Sequence, residues 1–91
     1  MLYVISYDIP HNRRRTRLAT LLEGHGSRVQ LSVFECDLSH AQFAQLERRM
    51  ARLLDPQHDR VRIYRLCAPC VGTIALIGAG EVERTVDSYI I

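Results

Sequence analysis

The period of the hydrophobic pattern changes repeatedly along this 91-residue chain, and the order of the changes limits the folds that it can adopt. Residues 2–8 form an apolar run rich in β-branched and aromatic side chains, which is typical of a strand. The next apolar residues recur at spacings of three and four, the period of a helix: Leu18, Leu21 and Leu22. We expect this helix to begin after an N-cap at Asn12 and to end near Glu23, with Gly24 or Gly26 as its C-cap.

The middle of the chain again has a strand period. Residues 28–34 alternate and predict a strand that continues to Cys36, or alternatively two strands joined by a tight turn or a bulge. In the single-strand interpretation the core face carries three apolar residues: Val29, Leu31 and Val33. Phe34 then falls out of phase with the core face, where it can lie in a dimer interface or stack on a base.

A second helix and a further strand follow. Ser39 and Gln42 have the spacing of a capping box and Asp55-Pro56 is a stop signal, so we expect a helix between them. Residues 60–66 alternate strictly and predict a strand. The remaining segments are expected to be irregular or extended: a loop over Cys67–Gly72, an apolar strand over residues 73–77 and an extended tail over residues 86–91.

This order of elements is the ferredoxin-like βαββαβ pattern of an α+β protein. We expect a single domain over residues 1–91. An additional C-terminal strand, within about residues 78–91, has no obvious neighbour in a small sheet, and an exposed apolar edge favours aggregation. We therefore expect a homodimer in which the C-terminal extension of each protomer pairs with the sheet of its partner.

The composition makes some partners more plausible than others. No apolar run approaches the roughly 20 residues of a membrane span, and no signal-peptide pattern is present, which predicts a cytoplasmic protein without a membrane partner. The net charge is only +2, but all 12 basic residues are arginine. Arginine binds phosphate through paired hydrogen bonds and stacks on bases, although codon bias in a GC-rich genome is the simpler explanation of the composition itself.

The chain has three cysteines, Cys36, Cys67 and Cys70, and an odd number in a cytosolic chain argues against a disulfide framework. Cys67 and Cys70 have CxxC spacing, but a structural zinc site needs about four ligands. A second pair could come only from the other protomer of a symmetric dimer. We interpret these residues as ordinary loop cysteines, with a zinc site and a redox pair as the alternatives.

One carboxylate lies where phosphate chemistry is expected. Asp8 ends the first strand, and Arg13, Arg14, Arg15 and Arg17 open the helix that follows. Mg²⁺ prefers oxygen ligands and keeps several waters, so one or two carboxylates suffice to hold it. An acid facing these guanidinium groups therefore suggests a metal-assisted reaction at phosphate, whereas an ion pair between Asp8 and Arg15 at the helix start is the structural alternative.

These motifs together resemble the Cas2 family of CRISPR-associated proteins. The resemblance is carried by Tyr7-Asp8-Ile9, the arginine-rich helix start, Leu21–Gly26 and Arg28–Cys36, and it continues through Asp59–Tyr64. It implies a ferredoxin-like homodimer that acts in CRISPR adaptation, where two dimers of the Cas1 integrase flank one Cas2 dimer and the complex integrates foreign DNA. For some members it also implies a magnesium-dependent endonuclease that acts on single-stranded RNA or double-stranded DNA.

The resemblance further implies roles for individual residues. Asp8 of both protomers would hold Mg²⁺ or Mn²⁺, which makes Asp8 the catalytic residue as a metal ligand. The functional arginines would be Arg15, Arg17 and Arg28, and the functional aromatic residue would be Phe34. Together with Arg14 from the basic helix start, these arginines are expected to contact the phosphates of a protospacer duplex.

Three functions remain open at this point. The first is a metal-dependent phosphodiesterase that uses Asp8. The second is an adaptor that holds DNA and the Cas1 integrase dimers at a fixed spacing, and we favour it as the cellular role. The third is a toxin-like messenger RNA endoribonuclease built on the same fold.

Overall fold

The computed structural model describes residues 1–79 and has the expected α+β architecture. Its elements are, in chain order, β1 (Leu2–Asp8), α1 (Asn12–Glu23), β2 (Ser27–Gln30), β3 (Val33–Asp37), α2 (His40–Leu53), β4 (Arg60–Leu66) and α3 (Ala68–Val71). The predicted ferredoxin-like order is therefore confirmed. No helix in this part of the chain is long and apolar enough to cross a membrane.

The strands form one antiparallel sheet in the order β2-β3-β1-β4, with β1 in the interior. Ile5 pairs with Phe34 on one side and with Ile63 on the other. Side chains alternate across a strand, so the odd-numbered residues of β1 face α1 and α2. The even-numbered residues, which include Ser6 and Asp8, face the opposite side of the sheet, which we call the open face.

The core lies between the sheet and the two long helices. It is built from large apolar side chains of both layers: Tyr3, Ile5, Phe34 and Cys36 from the sheet, and Leu18, Leu22, Leu46 and Met50 from the helices. The ring of Tyr3 stacks on that of Phe43 with the ring centroids 4.1 Å apart. These contacts fix β1, and therefore Asp8 at its end, against a packed layer.

Of the two interpretations of residues 28–36, the one with two strands joined by a turn is confirmed and the single strand is wrong. The chain turns at Leu31-Ser32, between β2 and β3, and a register shift lies between Arg28 and Gln30. Leu31 is 81% exposed at this turn, and Val29 is 46% exposed. The turn resets the alternation, so that Phe34 faces the core opposite Ile5 instead of falling out of phase.

The helix boundaries follow the predicted signals closely. Ser39 and Gln42 form both hydrogen bonds of the expected capping box, and Gly24 is the C-cap of α1. The expected N-cap of α1 is wrong by one residue. Asn12 is already helical, because the imidazole Nδ1 of His11 accepts the backbone N–H of Arg14 at 3.3 Å and caps the helix instead.

Gly26 is required by the close approach of the α1–β2 connection to β3. A Cβ atom at this position would overlap the backbone oxygen of Glu35 and would lie 2.6 Å from the Sγ atom of Cys36. No side chain fits there without displacing the strand that carries Phe34.

The segment after β4 differs from the sequence-based expectation. Ala68–Val71 form the short helix α3 where a loop was expected, and the described part of the 73–77 segment contains no strand. Val71 and Leu2 are both buried and pack with Leu66 and Ile74. Burial of Val71 against Leu2 explains why the chain turns into a helix here. The expected extended tail at residues 86–91 lies outside the described residues.

Candidate functional site

Asp8 lies at the carboxyl end of β1 and on the open face, where it is exposed. In the antiparallel register Asp8 is opposite Arg60, and Ser6 is opposite Arg62. A shallow groove of about 280 Å³ is lined by these four residues and Tyr7. The sheet register therefore places one carboxylate and two guanidinium groups around one exposed depression.

The Asp8 carboxylate makes no hydrogen bond or ion pair with any residue in the described range 1–79. The expected structural alternative, a pair with Arg15, is not formed. Arg15 instead donates to the backbone oxygen of Ile9 at 3.0 Å and to the Oδ1 atom of Asn12 at 2.6 Å. Within the described residues, the Asp8 carboxylate is thus exposed and unpaired.

The open face offers few further oxygen ligands for a metal ion. No group of three or more His, Cys, Asp or Glu side chains that could hold a metal is found within residues 1–79. The hydroxyl of Tyr7 donates to the backbone oxygen of Leu31 at 3.3 Å. A single carboxylate still fits Mg²⁺, which keeps several waters and often completes its shell with phosphate oxygens. Within residues 1–79, Asp8 is the one carboxylate that lines the groove.

The arginines at the start of α1 do not form one cluster. Arg14 turns toward the α2–β4 connection, where its Nε donates to Asp59 Oδ2 at 2.8 Å and its Nη2 donates to Asp59 Oδ1 at 3.2 Å. The Asp59 carboxylate is fully covered, while the Arg14 side chain is 25% exposed. This paired geometry engages the fork of Arg14 in a structural contact rather than presenting it to phosphate.

The same contact shifts the ionisation of both partners. The hydrogen bond from Arg14 is the largest cause of the lowered pKa of Asp59, and it raises the pKa of Arg14 above its ordinary value. The Oδ2 atom of Asp59 also accepts the backbone N–H of Asp55 at 2.9 Å. Asp59 therefore joins the start of α1 to the turn before β4.

Arg13 and Arg17 are the arginines of α1 that remain open to solvent. Both are exposed, and neither makes a hydrogen bond or ion pair with another residue of the described chain. They are four residues apart and so lie on the same side of the helix. Of the arginines expected to meet phosphate, Arg17 is thus available, whereas Arg14 and Arg15 are already engaged.

Arg28 and Phe34 lie together, but not in the arrangement expected from the sequence. Phe34 is fully buried in the core, so its ring cannot stack on a nucleic-acid base or reach a second protomer in this conformation. The guanidinium of Arg28 lies 5.2 Å from the centre of the Phe34 ring and also donates to Glu23 Oε1 at 3.3 Å. Arg28 is exposed and covers the edge of the core.

Arg60 and Arg62 are the residues of the groove that sequence reasoning missed. Both are exposed on β4, and the register brings them beside Asp8 and Ser6. The signal was present in the sequence, because two arginines two apart in a strand share a face. Finding them also required the knowledge that β4 pairs directly with β1, which the strand pattern alone does not specify.

Comparison with known proteins agrees with this fold. The sequence profile described as "CRISPR associated protein Cas2" matches residues 1–74. A protein of Chloroflexus aurantiacus named "CRISPR-associated endoribonuclease Cas2 1" is 52% identical over 93 aligned positions, which cover 100% of both chains.

Two solved structures are also similar. A hypothetical protein from Thermus thermophilus has a TM-score of 0.79 and 46% identity, over 88% of this chain and 93% of the other. A chain from a structure described as a partial Cas6-RT-Cas1–Cas2 complex has a TM-score of 0.72 and 29% identity, over 84% of this chain and 89% of the other. From the match over most of its length and the full-length relative, the chain belongs to the Cas2 family of CRISPR-associated proteins.

Proposed function

We propose that this protein acts in CRISPR adaptation as a homodimer that binds nucleic acid, bridges the Cas1 integrase, and has a metal-dependent endonuclease centre at Asp8. The observation that carries the catalytic part is the unpaired, exposed Asp8 carboxylate beside Arg60 and Arg62. The similarity to a chain from a complex that contains Cas1 supports the adaptor part.

The groove has the charges that a phosphodiester requires. Arg60 and Arg62 would hold phosphate oxygens, and the Asp8 carboxylate would hold Mg²⁺ or Mn²⁺ at its edge. When bound, the ion would supply a water of lowered pKa close to the phosphorus atom. Arg60 next to Asp8 would also keep a lone carboxylate from binding metal tightly, so the ion and the nucleic acid would bind together.

A homodimer would complete this site. β4 is at one edge of the sheet and has a sheet neighbour on only one side within residues 1–79. Tyr64 of β4 is 51% exposed, a large aromatic surface for a strand residue. Pairing of two protomers through this region would cover the edge and would bring a second Asp8 toward the open face.

The adaptor role uses the other side of the molecule. Both long helices cover the core face of the sheet, and their exposed arginines are Arg13, Arg17, Arg48, Arg49 and Arg52. Such a surface would contact the phosphates of a duplex without reading its bases, and its affinity would fall steeply as salt rises. The adaptor surface and the Asp8 groove would therefore be separable by mutation.

Ribonuclease activity is the second candidate. The relative from Chloroflexus aurantiacus is named an endoribonuclease, which favours single-stranded RNA as the substrate of the Asp8 groove. A free RNA strand can enter a shallow groove more easily than a stiff duplex. The toxin-like reading differs only in that this cleavage would be the cellular purpose of the protein.

The experiment compares Asp8→Asn with Asp37→Asn. Asp37 is an exposed carboxylate that ends β3, as Asp8 ends β1, but it pairs with the N-terminal ammonium at 3.3 Å outside the groove, so it is a control for loss of a carboxylate on the same sheet. Each variant would be tested for cleavage of labelled RNA and duplex DNA with Mg²⁺, and for spacer acquisition together with Cas1. We expect Asp8→Asn to abolish cleavage and to preserve acquisition, and Asp37→Asn to preserve both.

The outcomes separate the two parts of the proposal. Cleavage by Asp8→Asn at the wild-type rate would refute a catalytic role for Asp8. If Asp8→Asn still binds duplex DNA but no longer supports spacer acquisition, the adaptor role is not independent of cleavage. If the folded wild-type protein neither binds DNA nor associates with Cas1, the adaptor role is refuted.

A further inference from the structure

Cys67 and Cys70 hold their sulfur atoms close together at the start of α3. Their Sγ atoms are 3.2 Å apart and share a hydrogen bond, and both side chains are exposed free thiols. Cys67 is the extended N-cap of α3 and Cys70 lies within its single turn, so the backbone itself aims the two side chains at each other. A disulfide bond is about 2.05 Å long, so only a small side-chain movement separates this pair from a covalent link.

The third cysteine of the chain is chemically different. Cys36 is fully buried in the core, and burial, with a smaller effect of Glu35, raises the pKa of its thiol to about 11. A buried thiol of raised pKa is unreactive because the thiolate is the nucleophile. Cys36 therefore serves as an internal control for the reactivity of the exposed pair.

The exposed pair has the opposite tendency. Hydrogen bonding with Cys70 lowers the pKa of Cys67, and the same interaction raises the pKa of Cys70. This asymmetry is what an attacking thiol and a resolving thiol require, since one must ionise first and the second must follow. The short distance between the sulfur atoms and their exposure would in themselves allow thiol–disulfide exchange at this pair.

We propose that Cys67 and Cys70 form a reversible dithiol–disulfide site that exchanges with small disulfides of the glutathione class. The Cys67 thiolate attacks one sulfur of glutathione disulfide, forming a mixed disulfide and releasing one glutathione thiolate. Cys70 loses its proton and attacks the Sγ atom of Cys67, which forms the Cys67–Cys70 bond and releases the second glutathione. Two protein thiols are oxidised, one glutathione disulfide is reduced, and the two protons pass to the released thiolates.

The disulfide would lock the turn that connects β4 to the rest of the chain. The backbone oxygen of Cys70 accepts from Thr73 twice, from its N–H at 3.0 Å and from its Oγ1 at 2.6 Å. Val71 is buried on Leu2, and its N–H donates to the oxygen of Cys67 at 3.0 Å. A helix of one turn has little stability of its own, so a covalent bond across it would suppress its opening.

The proposal does not depend on nuclease or DNA-binding activity, and it can be tested on the full chain by mass spectrometry. The chain has no lysine, so trypsin cleaves only after arginine and places both thiols in the peptide of residues 66–84 and Cys36 in that of residues 29–48. The protein is treated with glutathione disulfide, quenched with acid and alkylated under denaturing conditions. Peptide 66–84 should then carry no alkyl group and be about 2 Da lighter than its calculated dithiol mass, because a disulfide lacks two hydrogens. Peptide 29–48 should carry the alkyl group.

Single variants assign the two roles. Cys70→Ser should accumulate glutathione on Cys67, because the resolving thiol is missing. Cys67→Ser should form no internal disulfide and can carry glutathione only on Cys70, because the attacking thiol is missing and Cys67 no longer raises the pKa of Cys70. Both substitutions are at exposed positions, and circular dichroism of each variant confirms that it is folded.

Hydrogen exchange tests the consequence for α3. The amide of Val71 should exchange roughly tenfold more slowly in the oxidised protein than in the reduced protein, because its opening is restricted. Equal exchange rates would overturn the locking of the turn. A pair that stays reduced, a disulfide that forms only between chains, oxidation of Cys36 at the same rate, or bound zinc that protects both thiols would overturn the redox site.

Discussion

Two aspartates lie at the same end of the sheet and have opposite environments. Asp8 ends β1 opposite Arg60, and Asp59 directly precedes Arg60 at the start of β4. Asp59 is covered and accepts three hydrogen bonds, two from Arg14 and one from the backbone of Asp55. Asp8 is exposed and makes no such contact within residues 1–79. The difference shows that the side of the sheet on which a carboxylate lies decides whether it stabilises the fold or is free for a ligand.

This comparison also divides the arginines. Arg14 is held by Asp59, while Arg17, three residues further along α1, is exposed. Arg60 and Arg62 flank Asp8 without pairing to it. Sequence proximity therefore does not identify which basic residues are free to bind a ligand, because Arg14 is already paired with the covered Asp59 carboxylate.

The largest effect is expected for Asp59→Ala. It leaves the guanidinium of Arg14 and the N–H of Asp55 without their partner, and removal of one member of a covered ion pair is strongly destabilising. Thermal unfolding followed by circular dichroism should show the melting temperature falling by about 10 °C, as for a large loss of stability in a domain of this size. Asp8→Ala is the control and should stay close to wild type. Equal melting temperatures of the two variants would erase the distinction between the aspartates.

The pH dependence of stability should follow from the carboxyl groups of Asp59 and Asp55. Hydrogen bonds, from Arg14 to Asp59 and from the N–H of Gln57 to Asp55, hold the pKa values of both carboxyls below their ordinary value of 3.8. A lowered pKa contributes stability that is complete above the ordinary value and is lost as the pH falls through the folded-state value. Wild-type protein should therefore lose stability below about pH 4, and Asp59→Ala should lose less over that range. Parallel acid-unfolding curves for the two proteins would contradict this assignment.

Smaller effects are expected for Arg14 and Arg17, and they should fall on different quantities: stability for Arg14 and DNA binding for Arg17. Arg14→Ala should lower the melting temperature and leave the salt dependence of duplex binding nearly unchanged. Arg17→Ala should leave the melting temperature unchanged and reduce the slope of log affinity against log salt by about 1, the effect of one lost phosphate contact. Fluorescence anisotropy over a salt series measures the slope. A reduced slope for Arg14→Ala would show that its pairing with Asp59 opens when DNA binds.

Much of the fold was accessible from the sequence, for identifiable reasons. The residues that mark element boundaries act locally, so the Ser39–Gln42 capping box is predictable, and the C-cap of α1 is Gly24, one of the two glycines expected there. The sequence pattern does not decide between a single strand and the β2–β3 turn, since Leu31 is apolar and resembles a core residue although it is 81% exposed. The helix α3 depends on the packing of Val71 against Leu2, which are distant in sequence. No local pattern could reveal that contact.

In the candidate site, too, local features can be predicted from the sequence and contacts between distant segments cannot. Asp8 was predicted because it ends a strand, which is a local property. The retention of Arg14 by Asp59 and the burial of Phe34 under Arg28 depend on contacts between distant segments. Arg60 and Arg62 became visible only through the β1–β4 register. Residue identity suggests the candidate chemistry, and tertiary packing decides which of the predicted residues are exposed and unpaired.

The central claim is that Asp8 serves chemistry and Asp59 serves structure. Single-turnover cleavage of RNA and duplex DNA with Mg²⁺ tests it directly when Asp8→Asn and Asp59→Asn are compared at a temperature where both remain folded. The account predicts that Asp8→Asn loses cleavage by roughly 100-fold or more, because the metal loses its carboxylate, while Asp59→Asn stays within about threefold of wild type. Cleavage that survives in Asp8→Asn and disappears in folded Asp59→Asn would contradict it.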